Sequence, residues 1–362
     1  MKDDTTFPRN DGVTLAERYL KRLCEKTFLS LWSYAGPFKD MKSGTGVIGK
    51  EVCDILVVFE NHVIIFSDKD CAFPDTGNLQ KDWARWFRRA VADSAKQAWG
   101  AERWIRQFPH RLFLDSKCRT PFPFTLPDMK TAKFHLVVVA HDVARRGFEE
   151  LGGSGSLMIL SSLTGIQNHV QPFTFGDLDP SKTYIHVLDD TTLNILLSTL
   201  DTISDFVSYL DKKEKLLRSQ IRIIHAAGEE ELLVTYLKQL NDDKEHDFIL
   251  PPDATMVTLG EGLWNEFRAN PQRLRQVDAN KRSYFWDDLI EKFSGHALNG
   301  TSFYSYPAGI ASTERILRLM ARENRLKRRA LSEAFLDFVS STPERVRGVR
   351  SLLSGRFIRQ SL

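Results

Sequence analysis

From Thr14 to Trp32 the apolar positions recur at helical spacing, with Leu20, Leu23, Cys24, Thr27, Phe28 and Leu31 on one stripe. Thr14, with Glu17 three residues on, predicts a capping box at the start of that helix. A stretch rich in Gly, Pro and Lys (34–50) breaks the period and reads as a loop. Two β-branched runs follow, VCDILVVF (52–59) and HVIIFSDK (62–69), separated by Glu60-Asn61, and they predict an antiparallel hairpin. A two-residue turn sets Phe59 opposite His62 and Asp54 opposite Ser67. Side-chain alternation then puts Asp54, Ser67 and Lys69 on one face. From 79 to 107 the stripe Trp83, Phe87, Ala90, Ser94, Gln97, Ala101, Trp104 predicts a long helix. RLFLD (111–115), FHLVVVA (134–140) and YIHVL (184–188) read as strands.

Beyond about residue 190 the pattern turns helical, first over a long periodic stretch and then near 229–240, 284–293 and 314–339. The expectation is an α/β protein in two parts: residues 1–190, running helix, hairpin, helix, strand, strand, and a mainly helical region, 191–362. A length of 362 residues, 42% hydrophobic and 27% charged, agrees with two globular domains and excludes a disordered or fibrous chain. No run approaches the ~20 apolar residues of a membrane helix, and the polar start MKDDTTFPRN predicts a cytoplasmic protein. Cys24, Cys53, Cys71 and Cys118 form no C-x-x-C pair and read as packing residues.

Charge changes the picture at one end. The net charge is +3, yet from Glu314 onward 12 Lys and Arg stand against 5 Asp and Glu, so that segment carries +7 and the remainder −4. Arg315, Arg318, Arg322, Arg325 and Arg329, spaced by three or four, would fall within a band of about 80° on one helix. Such a row suits phosphate. A solvated helix face, or a surface for an acidic protein, is the alternative reading.

GTGVIGK (44–50) matches phosphate-loop patterns in letters alone. No strand leads in, no helix leads out, and Glu51 stands where a magnesium-binding Ser or Thr is needed, so a nucleotide site is rejected. The chemistry lies in the hairpin. Asp54 opens an otherwise apolar strand, and Lys69 shares its face; a carboxylate there can hold a hard divalent cation, and a lysine can orient water or stabilise charge on phosphate. Glu17 lies within about 50° of its helix's apolar stripe, whereas Glu25 is about 130° away. Gln97 falls inside the stripe of the second long helix. Each has a structural alternative: Asp54 as a cap on backbone amides, Glu17 as a capping-box member only, Lys69 as a solvated edge lysine, Gln97 as a partner for a loop carbonyl.

At these residues the chain resembles the PD-(D/E)XK nuclease superfamily, the restriction-endonuclease-like fold, in its Mrr-like and nuclease-related branches. That core runs α-β-β-β-α-β, with a glutamate on the first helix, an aspartate on one hairpin strand and an acidic-x-lysine motif on the next. Glu17, Cys53-Asp54-Ile55-Leu56-Val57-Val58 and Ile64-Ile65-Phe66-Ser67-Asp68-Lys69 take those places, and Gln97 resembles a helix-borne polar residue of the family. The resemblance covers residues 14–140. It departs at Ser67, where the second carboxylate should stand. Either a bulge turns Asp68 inward, or Glu51 or Glu17 completes the set, or the site is impaired.

The resemblance implies a Mg²⁺- or Mn²⁺-dependent deoxyribonuclease. Asp54, Glu17 and Asp68 would be its metal ligands, and Lys69 would stand at the attacking water. RNA remains an alternative substrate. The C-terminal region would hold nucleic acid or a protein partner, self-association is left open, and the role implied is bacterial restriction or phage defence. A nuclease-like module that binds nucleic acid or scaffolds a partner without cleaving is the competing expectation, and Ser67 favours it.

Overall fold

The computed structural model describes residues 10–12, 14–43, 46–219, 222–299, 301 and 309–343. Helix α1 spans Leu15–Phe28 and begins with the expected Thr14–Glu17 capping box. Strands β1 (Ser33–Ala35), β2 (Phe38–Ser43), β3 (Gly46–Glu51), β4 (Ile55–Phe59) and β5 (His62–Lys69) follow. Helix α2 (Leu79–Trp86) passes through a π-helical turn, Phe87–Ala92, into α3 (Asp93–Gln107). The chain continues through β6 (Leu112–Phe113), β7 (Lys133–Ala140), α4 (Val143–Leu151), β8 (Met158–Thr164), β9 (Thr174–Asp177) and β10 (Ile185–Asp189). Then come α5 (Asp190–Thr199), α6 (Ile203–Leu217), β11 (Ile223–Ala226), α7 (Glu229–Leu237) and β12 (Met256–Leu259). The last elements are α8 (Leu263–Ala269), α9 (Pro271–Asn280), α10 (Tyr284–Leu298), α11 (Gly309–Ala321) and α12 (Arg325–Ser341). No helix among the described residues is long and apolar enough to cross a membrane.

A five-stranded mixed sheet, in the order β1-β4-β5-β7-β10, forms the centre. β1, β4 and β5 are antiparallel neighbours, whereas β7 and β10 run parallel to β5. The hairpin has the expected register, with Phe59 paired to His62 and Ile55 to Phe66. Helices cover both faces, which is why these strands are continuous apolar runs. Leu56, Val58, Val63 and Ile65 pack with Trp83, Trp86 and Ala98 on one side. Ile55, Val57, Ile64 and Phe66 pack with Leu20, Cys24 and Phe28 of α1 and with Leu193 and Phe206 on the other.

Several sequence expectations need correction. Both faces of the core draw residues from either side of residue 190 (Leu217, Ile224 and Leu232 on one, Leu188 to Leu210 on the other), so the expected division at 190/191 meets no break in packing. The region after 190 is not helical throughout: β11 and β12 join β8 and β9 in a second sheet, order β12-β11-β8-β9. The Gly/Pro/Lys-rich stretch read as a loop is a β2–β3 ribbon, extended by β6 into a third sheet. Its exposed positions carry no apolar run, so no strand pattern betrays it.

Gln97 is the clearest case. The π-turn at Phe87–Ala92 inserts one residue, which rotates everything after it by about 100°. Burial therefore continues through Ser94, Ala98, Ala101 and Ile105, and Gln97 is exposed.

The helix expected over 314–339 is two helices, because Asn324 caps a new start by accepting the Lys327 N–H. The arginine row is divided by that break. Arg325, 6% exposed, bridges Asp201 and Asp287 at 2.7 Å each, and fully buried Arg328 holds the other oxygen of Asp287 at 2.7 Å. Arg325→Ala is therefore expected to cost stability, about 3–5 kcal/mol, because it leaves Asp201 buried without its cation and Asp287 with Arg328 alone. Urea denaturation of the purified variant measures this.

Candidate active site at the carboxyl ends of the parallel strands

Strands β5, β7 and β10 end side by side, with Lys69 level with Ala140 and Asp189 level with the same residue. Ligands of open α/β sheets sit beyond such carboxyl ends. Four acidic residues from different elements gather at this edge. Asp54, just before β4, accepts the Asp68 N–H at 2.6 Å, so it caps a strand-end amide as the structural alternative anticipated. Burial drives the Asp54 carboxyl up to about 7; the Asp68 amide opposes this, and the carboxylates of Glu51, Asp68 and Glu17 reinforce it. Glu51, at the end of β3, is itself raised by burial and by Glu17. Glu17 accepts the Thr14 N–H in the capping box, the structural role expected for it, and its charge also raises Asp54.

Asp68 reaches its position without a bulge. The β5–β7 register is continuous through Lys69. Asp68 therefore follows Ile64 and Phe66 on the α1 side, and its charge adds to the burial that lifts the Cys24 thiol well above its ordinary value. Ser67 and Lys69 follow Val63 and Ile65 on the α3 side. Ser67 is buried, and Lys69 is exposed without an ion pair among the described residues. The bulge considered for Asp68 is thus absent, and Asp68 and Lys69 project from opposite faces of β5.

Sequence reasoning missed the residues that hold Asp68. His141, directly after β7, places Nε2 2.5 Å from Asp68 Oδ1 and Nδ1 2.8 Å from Asp190 Oδ1. Burial works against the imidazolium, but the bonds to Asp190 and Asp68 outweigh it and lift His141 to about 10. At neutral pH a cation is therefore clamped between two carboxylates, across the ends of all three parallel strands. The corner is fixed further: the Asp142 N–H donates to Asp190 Oδ2 at 2.7 Å, and the Phe73 N–H donates to Asp142 Oδ2 at 2.8 Å. Asp142 adopts φ 62°, a left-handed conformation that costs a non-glycine residue about 1 kcal/mol or more. The one signal in the sequence was His141-Asp142 immediately after the apolar run 136–140.

Asp68 Oδ2 is buried and has no hydrogen-bond partner among the described residues. A carboxylate oxygen without a donor, on the residue whose N–H Asp54 accepts, has the chemistry of a hard-cation ligand. Glu17, Asp54 and Asp68 do not bring three ligand oxygens within 4.8 Å of one another. Among the described residues only Glu230, Glu231 and Glu261 do so. Of those three, Glu231 accepts the Gly262 and Trp264 N–H groups and Glu261 the Ser154 N–H, while Glu230 accepts the Ser156 hydroxyl through Oε1 and its Oε2, like Asp68 Oδ2, is buried without a partner among the described residues.

The nucleic-acid candidates on the C-terminal helices are largely occupied. Arg318 pairs with Glu314, Arg322 with Glu60 at 3.2 Å, and Arg325 with the buried network. Arg315 is exposed and Arg329 half-buried. The basic stretch from Glu344 onward lies outside the described residues. A cavity of about 270 Å³ lined by Glu60, His62, Ser208 and Asp211 opens at the turn of the β4–β5 hairpin, at the other end of β5 from Asp68. Comparison with protein-family models, with curated proteins and with solved structures finds no match to this chain.

Proposed function

We propose that this protein is a divalent-metal-dependent nuclease that hydrolyses phosphodiester bonds in DNA at the Asp54–Asp68 edge. The observation that carries the reading is the pairing of Asp54 with Asp68 at the end of a helix–hairpin–helix–strand unit. In that unit α1 precedes three antiparallel strands (β1, β4, β5), and α3 leads to the parallel β7. This order supports a restriction-endonuclease-like core. Asp54 and Asp68 would hold Mg²⁺ or Mn²⁺, with Glu17 or Glu51 completing the acidic set. The bound ion would polarise the phosphodiester and lower the pKa of water. His141 keeps Asp68 oriented by ion pairing, and Lys69, which leaves β5 on the face opposite Asp68, would have to reach round the strand end to orient water. The resemblance implies a role in bacterial restriction or phage defence.

The second reading, a nucleic-acid-binding module that does not cleave, is favoured by two observations. Ser67 stands in a regular strand where the second carboxylate belongs, and Lys69 projects from the face opposite Asp68. Incubation with plasmid, linear DNA and RNA, each with Mg²⁺, Mn²⁺ or EDTA, separates the two. Metal-dependent cleavage supports the nuclease. Binding without cleavage under any metal supports the second.

Metal affinity should also follow pH. Below about 7 Asp54 is protonated, so a cation must displace its proton. Mn²⁺ affinity is expected to rise up to about tenfold per pH unit toward pH 7 and to level off above it. Isothermal titration across that range tests this, and the dependence should vanish in Asp54→Asn.

A further inference from the structure

The β2–β3 ribbon contains the GTGVIGK segment, of which Gly44 and Thr45 lie outside the described residues. Its register sets Lys39 opposite Lys50 and Met41 opposite Ile48. Residues two apart share a face, so one side of the ribbon presents two lysines and an apolar pair. Met41 is 43% and Ile48 59% exposed. Like charges directly opposite one another destabilise a ladder, and burial together with the Lys50 charge pulls Lys39 below the ordinary lysine value. Lys39 Nζ lies 4.9 Å from the Trp104 ring centroid. The nearby acid does not neutralise the pair, because Asp40 is bonded to Arg111 at 2.8 Å. Neither lysine forms an ion pair among the described residues.

The adjoining loop packs on the other side of β3, the side that Asp40 and Gly49 face, and carries Lys117 and Arg119. The Gly49 N–H donates to Ser116 O at 3.0 Å, and a Cβ at Gly49 would meet that oxygen at 2.5 Å. The loop can thus lie against the ribbon only because residue 49 is glycine. Asp115 fixes the loop by accepting the N–H groups of Lys117, Arg119 and Thr120. Lys117 and Arg119 are left exposed, again without ion pairs among the described residues.

We propose that the Lys39–Met41–Ile48–Lys50 face of the β2–β3 ribbon forms a phosphate-backbone-binding surface for duplex nucleic acid beside the Asp54 edge. The choice of nucleic acid as the polyanion rests on the nuclease reading; the unneutralised cations do not. Lys50 lies four residues before Asp54, a reach of at most about 14 Å. That is about four base steps along one strand. A two-stranded ribbon fits the major groove, where Met41 and Ile48 suit thymine methyl groups.

The test uses the full chain with a short fluorescent DNA duplex in EDTA, with anisotropy followed across a salt series. The Lys39→Gln, Lys50→Gln double variant should bind more weakly. Its plot of log affinity against log salt should be shallower by about 0.9 for each phosphate that is no longer neutralised. The Lys39→Arg, Lys50→Arg variant should restore both, which separates lost charge from misfolding. No duplex binding by the wild type, or an unchanged salt slope in the Gln variant, overturns the proposal. So does a loss of binding to anionic phospholipid vesicles or to polyglutamate with duplex affinity intact. Cleavage is scored separately: duplex binding that depends on the lysines, with no cleavage under any metal, removes the nuclease reading and leaves the ribbon surface standing.

Discussion

Asp54→Asn should lower metal-dependent cleavage by about a thousandfold, the effect of the several kcal/mol that a bound cation contributes to phosphodiester hydrolysis. The carboxamide nearly matches the carboxylate in shape, and its oxygen can still accept the Asp68 N–H that Asp54 Oδ2 now accepts. The fold should therefore survive. Stability should even rise slightly near neutral pH. Burial keeps the native carboxyl up at about 7 rather than near 3.8, so ionising it costs folding energy across that interval, and the neutral amide avoids the cost. The decisive comparison is cleavage of plasmid and melting temperature measured on the same preparation. Undiminished cleavage by the folded variant would eliminate Asp54 as the metal carboxylate.

His141→Ala should be among the most destabilising single changes at this edge, costing about 3–5 kcal/mol. It removes the only cation paired with Asp68 among the described residues and leaves that carboxylate, 1% exposed, charged or forced to take up a proton. It also frees Asp190 from one of its two bonds to this corner. The pH dependence has a definite sign. The imidazolium is held at about 10 against an ordinary 6.5, so its stabilisation is fully present below pH 6.5 and is lost as pH rises through about 10. Urea denaturation of the wild type should show that decline, and His141→Ala should lack it. Equal pH profiles in the two proteins would show that the Asp68–His141–Asp190 chain does not carry this energy.

What the sequence determined by itself is what neighbouring residues dictate to one another. The capping box of α1 needs only Thr14 and Glu17, three positions apart. The pairing of β4 with β5 needs only a two-residue turn, which sets Phe59 against His62 and Ile55 against Phe66. The β-branched, apolar runs of β4, β5 and β7 marked them as strands. Tertiary structure decided the rest, for separate physical reasons. The π-turn at Phe87–Ala92 adds a residue to the helical count, so a stripe read at constant pitch pointed Gln97 inward when Ala98 takes that position. The β2–β3 ribbon leaves one face to solvent and has no apolar run to reveal it. Arg325 and Arg328 look like surface cations until Asp201 and Asp287, distant in the chain, meet them in the interior. His141 is 73 residues from Asp68 and 49 from Asp190. Only the parallel alignment of β5, β7 and β10, reached through long crossovers, brings the three together, and no local periodicity encodes which strand ends will lie side by side.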